Sequence, residues 1–306
     1  MLIKRENLMK YSQCFVGATL TVKNQTRIKY GKGTIISVSD TRMQIDFGPE
    51  IGIRKFQYPD PITKGLVLVD GLDEIIKEIG NRLIQEHIDS LLSIIDKRNI
   101  RNFVHYTRVR NLKSILDNGL CSLDFMSEHG VECFQNDKQR LDGRTDSISL
   151  SVSFPNYKYF FSVKDKDKDK EDTWCVILLD PRKVIALECA FFWTNAANSQ
   201  CREYKWEDLC GADAFDRMFD VDKRNPDIPS YYTTDPQAEI MVKGHIPADC
   251  IKNIVFKSSA DIDKDLLSSK CICDRSYFGP RKDYRDWIKG NLDDEYSLPL
   301  EYLYDV

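Results

Sequence analysis

From Leu72 to Arg98 the chain reads LDEIIKEIGNRLIQEHIDSLLSIIDKR, with apolar residues at Leu72, Ile75, Ile76, Ile79, Leu83, Ile84, Ile88, Leu91, Leu92 and Ile95. A stripe returning every three to four residues predicts one long amphipathic helix. The segments on both sides of it are short, alternating and bounded by Gly, Pro, Asn and Asp, which is strand patterning. A long helix set between two strand-rich parts excludes both a helical bundle and an all-β chain, and predicts an α+β protein with more than one part. Gly80 marks a weak point or kink in the helix. His87 reads as a surface or packing residue, and the helix end at Lys97-Arg98-Asn99 is the expected domain boundary.

Composition narrows the classes further. In 306 residues, 42% are hydrophobic and 30% charged with a net charge of −4, which excludes disordered and fibrous architectures. No apolar run is long enough to span a bilayer and the first residues lack a signal-like apolar region, so a soluble, cytoplasmic protein with no membrane partner is expected. The ten cysteines are scattered, none forms C-x-x-C, and Cys271-Ile-Cys273 is too tight for zinc. Neither a disulfide framework nor a metal is expected, and most thiols should fill core positions.

Residues 1–98 carry 15 basic against 12 acidic side chains, so the negative charge lies in the remainder. Within this front part KYGKGTIISVSDTRMQIDFG predicts a turn at Gly31 and Gly33, a strand Thr34–Val38, a Ser-Asp-Thr turn and a second strand Met43–Phe47. The pattern resembles the small SH3-like barrels of some helicases and transcription-associated proteins. Three parts are therefore expected: an SH3-like β-barrel at 1–70, a linking helix at 71–98 and a larger domain at 99–306. The barrel packs as an accessory or binds nucleic acid or a partner. The run of alternating Lys and Asp over 164–172 reads as a solvated loop.

The chain contains neither G-x-G-x-x-G after a strand nor a Walker A loop, since Gly31-Lys32-Gly33-Thr34 lacks the spacing. NFVHYTRVRNLKSIL predicts a strand Phe103–Tyr106, a cap at Thr107, and a helix ending at Asn118-Gly119. Strand-rich segments come next within 140–161, 173–181, 186–198 and 235–256. Phe191-Phe192-Trp193 with Asn195, Asn198, Arg202, Tyr204, Lys205 and Trp206 has the aromatic and basic composition of a single-strand-binding surface, or of plain core.

Val104-His105-Tyr106-Thr107, Asn111-Leu112, Asn118-Gly119-Leu120, Arg140-Leu141-Asp142-Gly143-Arg144, Ser149-Leu150-Ser151, Phe154-Pro155-Asn156-Tyr157, Thr194-Asn195-Ala196-Ala197 and Pro236-Gln237-Ala238-Glu239 occur in this order. Together they resemble the DarT family of NAD-dependent ADP-ribosyltransferases, toxins that modify bases in nucleic acid. The resemblance covers about 104–256. It implies an ADP-ribosyltransferase-like split mixed β-sheet with flanking helices, NAD as co-substrate, a single-stranded DNA target, and a cognate antitoxin. RNA remains open as a target, because the relative CmdT modifies messenger RNA. A module that binds NAD or nucleic acid without catalysis, and transfer to protein, also remain open. The Arg-Leu-Asp-Gly and Phe-Pro-Asn-Tyr wording is closer to the guanosine-modifying branch.

Loss of nicotinamide from NAD leaves an oxocarbenium-like ribosyl centre, a charge that a carboxylate stabilises. The resemblance assigns that role to Glu239. Alternation along a strand would put Gln237 on the same face. His105 is implied at the adenosine-side ribose or the nicotinamide amide, with Tyr106, Thr107, Asn111 and Gly119 around the cofactor. Arg144, or Arg140 in its place, suits the diphosphate because a guanidinium binds phosphate bidentately. Tyr157 and Tyr159, if extended, share a face and stack on nicotinamide or in the core. Trp193, Asn195, Asn198, Arg202 and Lys205 are the implied nucleic-acid contacts.

Overall fold

The computed structural model describes residues 4–23, 30–39, 41–132, 143–160, 173–220, 222, 224–262, 270–281 and 283. Packing divides the chain into two units, Met1–His87 and Ile88–Val306, with the division inside helix Leu72–Arg98. The helix runs unbroken through Gly80. Loop 164–172, Arg140 and Cys133 lie outside the described residues. Among the described residues no helix is long and apolar enough to cross a membrane.

The first unit is built on an antiparallel sheet of β1 (Thr19–Val22), β2 (Lys32–Val38), β3 (Arg42–Asp46), β4 (Ile53–Gln57) and β5 (Val67–Val69), in the order β4-β3-β2-β1-β5. Alternation explains it: Ile35, Met43 and Ile45 are fully buried on one face with Phe15, Leu20 and the helix residue Ile79. Gly33 is required by close approach, since a Cβ there would meet the Ile45 and Phe47 side chains at 2.6 Å.

The second unit holds a seven-stranded mixed sheet. Its strands are β6 (Phe103–Arg108), β8 (Ser147–Val152), β9 (Trp174–Leu179), β10 (Cys189–Phe192), β11 (Glu239–Lys243), β13 (Ile251–Phe256) and β14 (Cys271–Cys273). The order is β10-β11-β8-β6-β9-β13-β14, and only β13 and β14 pair in parallel. A separate ribbon pairs β7 (Leu120–Cys121) with β12 (His245–Ile246).

One face of the large sheet is covered continuously. Ile148, Leu150, Val152, Ile177, Ile240 and Val242 pack there against Leu91, Ile94 and Ile95 of the long helix and against Leu112, Phe215 and Phe219. Each such fully buried aliphatic contributes about 1.5–3 kcal/mol, which makes this face the main core. The opposite face carries two separate apolar clusters. One joins Val104, Phe160, Trp174, Val176 and Phe278; the other joins Ala190, Phe192, Ala196, Leu209 and Met241. Between them runs β8, whose residues facing this way are Ser147, Ser149 and Ser151, because Ile148, Leu150 and Val152 face the core.

Candidate active site

The serine strip coincides with a break in the sheet. β8 pairs with β11 from Ser147 to Leu150, but with β6 only at Phe103↔Val152 and Val104↔Ser151. Beyond Val104, β6 continues its ladder with β9 alone as far as Arg108. The sheet is therefore split between β6 and β8, and His105 sits where the split begins. Its Nδ1 lies 3.1 Å from the Ser149 carbonyl. A carbonyl only accepts, so Nδ1 carries the proton in this bond. Tyr106, on the serine face, stacks on Phe160 with centroids 4.5 Å apart.

Across β8, Glu239 opens β11 and pairs with Phe192 at the end of β10. β6 and β11 flank β8 on opposite sides, so the backbones of His105 and Glu239 are at least two strand spacings, about 10 Å, apart. Glu239 is buried, and a buried carboxylate requires hydrogen bonds. The turn after β10 supplies them. Asn195 Nδ2 donates to Glu239 Oε1 at 3.0 Å, and the Ala196 amide donates to Oε2 at 3.2 Å. Asn195 is itself fixed, because its Oδ1 accepts from the Ala197 amide at 2.9 Å. Asn198 then caps helix Ser199–Arg202 by accepting from the Gln200 amide. The Thr-Asn-Ala-Ala-Asn run thus orients the carboxylate, with Asn195 bonded to Glu239 and Asn198 capping the helix that follows.

Arg144 reaches the same face. Its guanidinium carbon lies 5.1 Å from the centroid of Phe192, the cross-strand partner of Glu239, and 5.8 Å from that of Trp206. Lys243 Nζ approaches the other side of this group, 4.5 Å from the Trp206 ring. Lys243 is itself paired with Glu188 Oε1 at 2.5 Å, so the cation that borders the floor on which the carboxylate stands, and that suits an anionic ligand, is Arg144.

Thr107 and Asn111 are buried and bonded to each other, Asn111 Nδ2 donating to Thr107 Oγ1 at 3.0 Å. They fasten the passage from β6 into helix Leu112–Asn118. Gly119 is explained by packing: it has φ +78°, and a Cβ would come within 2.2 Å of the Ile246 carbonyl. Arg217 covers Trp193, 3.4 Å from its centroid, and Tyr204 meets the same ring edge-on. Lys205 is exposed, and its amide donates to Asp208. The Arg202 side chain lies outside the described part of the structure.

Two expectations from strand alternation are corrected. Gln237 is not on the strand: its amide donates to Asp235 Oδ1 at 2.7 Å in a turn that ends with Ala238, and β11 starts only at Glu239. Shared-face reasoning does not apply to it. Residues 157–160 are helical, because Asn156 caps them by accepting from the Tyr159 amide. At helical spacing, positions two apart point to different sides, and accordingly Tyr157 is buried while Tyr159 is exposed. The alternation Ser-Ile-Ser-Leu-Ser-Val was the signal available for the serine floor, a strand with small polar residues on one face only.

A family model described as ssDNA thymidine ADP-ribosyltransferase, DarT, matches residues 104–268. None of the curated proteins compared with the chain matches it. Among solved structures, Thermosipho africanus DarTG in complex with ADP-ribose is 17% identical with a TM-score of 0.41, over 58% of this chain and 51% of that one. The chain thus spans about half the length of that relative. Thermus sp. 2.9 DarT in complex with NAD+ is 15% identical with a TM-score of 0.40, over 58% of this chain and 97% of that one. The same protein in complex with ADP-ribosylated ssDNA is 14% identical with a TM-score of 0.42, over 59% and 97%.

Proposed function

Because the chain belongs to the DarT family of ssDNA thymidine ADP-ribosyltransferases, we propose that it transfers ADP-ribose from NAD to a thymidine base of single-stranded DNA and releases nicotinamide. The observation that carries the site assignment is the Glu239 carboxylate, held by Asn195 and the Ala196 amide beside the split in the sheet. The family's description favours thymidine over the guanosine leaning of the sequence wording.

In this reading the dinucleotide lies along the serine floor, with Arg144 near its diphosphate. The floor fits such a ligand: its side chains are small, and the Arg144 guanidinium borders it. The bond from ribose C1 to the nicotinamide nitrogen breaks, nicotinamide keeps the electron pair, and a base nitrogen forms the new bond to C1. Glu239 stabilises the positive ribosyl centre and takes up the proton that the base gives up. His105, adjacent to the split and bonded to the Ser149 carbonyl, fixes the edge of β8 along which the ligand lies. A base in a stacked duplex cannot reach such a centre, so the target is single-stranded or flipped. Toxicity and a neutralising antitoxin belong to the same reading.

The test is the intact mass of DNA and RNA oligonucleotides of each base after incubation with protein and NAD. One ADP-ribose should appear on thymidine-containing DNA, and Glu239→Gln should slow its appearance at least about a hundredfold. Undiminished transfer by Glu239→Gln would refute the assignment of the catalyst. Label on RNA or on protein alone would refute the assigned substrate.

A further inference from the structure

The stretch Tyr231–Ala238 leads directly into Glu239, and the hydrogen bonds along it form a continuous path. Thr233 Oγ1 donates to the Asp235 carbonyl at 2.7 Å, and the Ala238 amide donates to the same oxygen at 3.1 Å. The Asp235 carboxylate accepts from the Gln237 amide and bonds to the Thr194 hydroxyl. Thr194 adjoins Asn195, which holds Glu239. The loop before β11 and the turn after β10 are thus tied together immediately beneath the carboxylate.

What holds the far end of this path comes from a distant part of the chain. After β14, the turn Arg275–Phe278 crosses the apolar cluster of Val104, Phe160 and Trp174, where Phe278 is buried and Tyr277 stacks on Phe154. The chain then delivers Arg281 to the loop. Arg281 is 3% exposed and Asp283 9%. Arg281 Nε donates to Asp283 Oδ1 at 2.7 Å and Nη2 to Oδ2 at 2.6 Å. Nη2 also donates to the Thr233 carbonyl at 2.9 Å, Nη1 lies 3.4 Å from Thr233 Oγ1, and the guanidinium stands 4.8 Å from the Tyr232 ring centroid. A buried ion pair is a poor source of net stability, because desolvation offsets the attraction; its attested use is to fix one arrangement among several. Here the arrangement it fixes is that of Thr233. These residues lie beyond the matched 104–268 stretch, so this strap is an addition to the part the family model recognises.

We propose that Arg281, oriented by Asp283, is a positioning residue for the transfer reaction: it clamps Thr233 and, through Asp235 and the Thr194-Asn195 turn, holds Glu239 in its working orientation. The proposal rests on the functional reading above for its effect on rate, but not for its effect on the loop. A planar five-donor fork is needed to serve one carboxylate and one carbonyl at once, which a lysine ammonium cannot reproduce. Asp283 carries the negative charge that makes burial of the arginine tolerable.

The experiment compares the full-length protein with Arg281→Lys and Asp283→Asn, the second being isosteric and the gentler change. Two quantities are read: amide hydrogen exchange over 231–239, and the single-turnover rate of ADP-ribose transfer from NAD to a thymidine-containing oligonucleotide. Both variants should exchange about tenfold faster at the Gln237 and Ala238 amides, with β9 and β13 unchanged, because the opening is local. Transfer should slow by about tenfold while KM for NAD changes less than about twofold, because a misplaced catalyst lowers the rate without removing ligand contacts. Wild-type exchange in that loop in both variants overturns the clamp. So does faster exchange spread evenly over the unit with an unchanged transfer rate, since that marks a purely structural pair. Should the unaltered protein transfer nothing, the functional reading fails, and the exchange measurement still decides whether the clamp exists.

Discussion

The bond from Asn195 to Glu239 offers the sharpest test of how the carboxylate is held. Asn195→Ala removes one donor, at 3.0 Å from Oε1, and leaves the Ala196 amide on Oε2. A hydrogen bond to a charged acceptor contributes about 1.5–3 kcal/mol. At about 1.4 kcal/mol per tenfold, a carboxylate that depends on that bond in the transition state would lose about 10- to 150-fold in rate. The surviving amide bond places the expectation in the lower half of that range. Asn195→Asp perturbs the site differently. It keeps the acceptor that receives the Ala197 amide, but it sets a second carboxylate oxygen against Glu239. Two carboxylates at hydrogen-bond distance share a proton, so the pair gives up its last proton at a higher pH than Glu239 does alone. The assay is single-turnover transfer to a thymidine oligonucleotide across the acid limb of the pH–rate profile. Asn195→Ala should lower the plateau and move the limb toward neutral pH, because the charged carboxylate loses a donor, and Asn195→Asp should move the limb further in the same direction. Rates within twofold of the unaltered protein, with the limb in place for both variants, would refute the idea that this turn orients the catalyst.

Two glycines should respond in opposite directions. Gly119→Ala places a Cβ 2.2 Å from the Ile246 carbonyl at φ +78°, a clash with backbone on top of a strained conformation, and should cost at least about 2 kcal/mol in urea unfolding. Gly80→Ala meets nothing within 4 Å in the middle of a helix, and should stabilise by about 0.5–1 kcal/mol. Asp235 gives a pH signature. Burial pushes its carboxyl above the ordinary carboxylate range despite the bonds it accepts, so the folded state binds its proton more tightly than the unfolded chain. Stability is therefore lost as pH rises from the unfolded pKa through the raised folded one, and the full cost is present above it. Asp235→Asn keeps an acceptor for the Gln237 amide and removes the titration. Its stability relative to the parent should rise with pH across that window in urea titrations, and a pH-independent difference would contradict the burial account.

The features that were legible in the sequence are those set by local periodicity. The helix Leu72–Arg98 was readable because ten apolar positions repeat at its period, and its length let that signal outweigh Gly80. Alternation between turn residues located the strands expected at Thr34–Val38 and Met43–Phe47, which run over Lys32–Val38 and Arg42–Asp46, so that Gly33 lies in the strand and not in the turn. Glu239 and Arg144 were reached through ordered motifs, and the structure sets both on the serine face. Periodicity misleads where a single capping group decides the local conformation. Asn156 turns 157–160 into a helix, and the Asp235 carboxylate turns Gln237 away from the strand that alternation extends back to it. Both are Asx-type bonds whose geometry competes with extension, and both residue types stand at the right offset to be noticed. Arg281 with Asp283 was not readable at all, since nothing local marks a pair whose partner lies 48 residues upstream.

The strands supply a floor whose geometry is set by backbone pairing, and that floor by itself binds no charge. Placing a carboxylate on it requires donors, and β10 and β11 have committed their amides to the ladder. The donors therefore come from turns, where a side chain can bend the backbone and an amide can be left over: Asn195 and Ala196 after β10, Asp235 before β11. Turns of this kind hold their shape only when something packs against them. In this chain the turn after β10 is braced by its own asparagines, whereas the loop before β11 is braced from outside by a buried arginine. Loosening the first disturbs the carboxylate directly. Loosening the second disturbs it through Thr233 and Asp235, which is why the two perturbations should differ in how far hydrogen exchange spreads along 231–239, even where they slow transfer by similar factors.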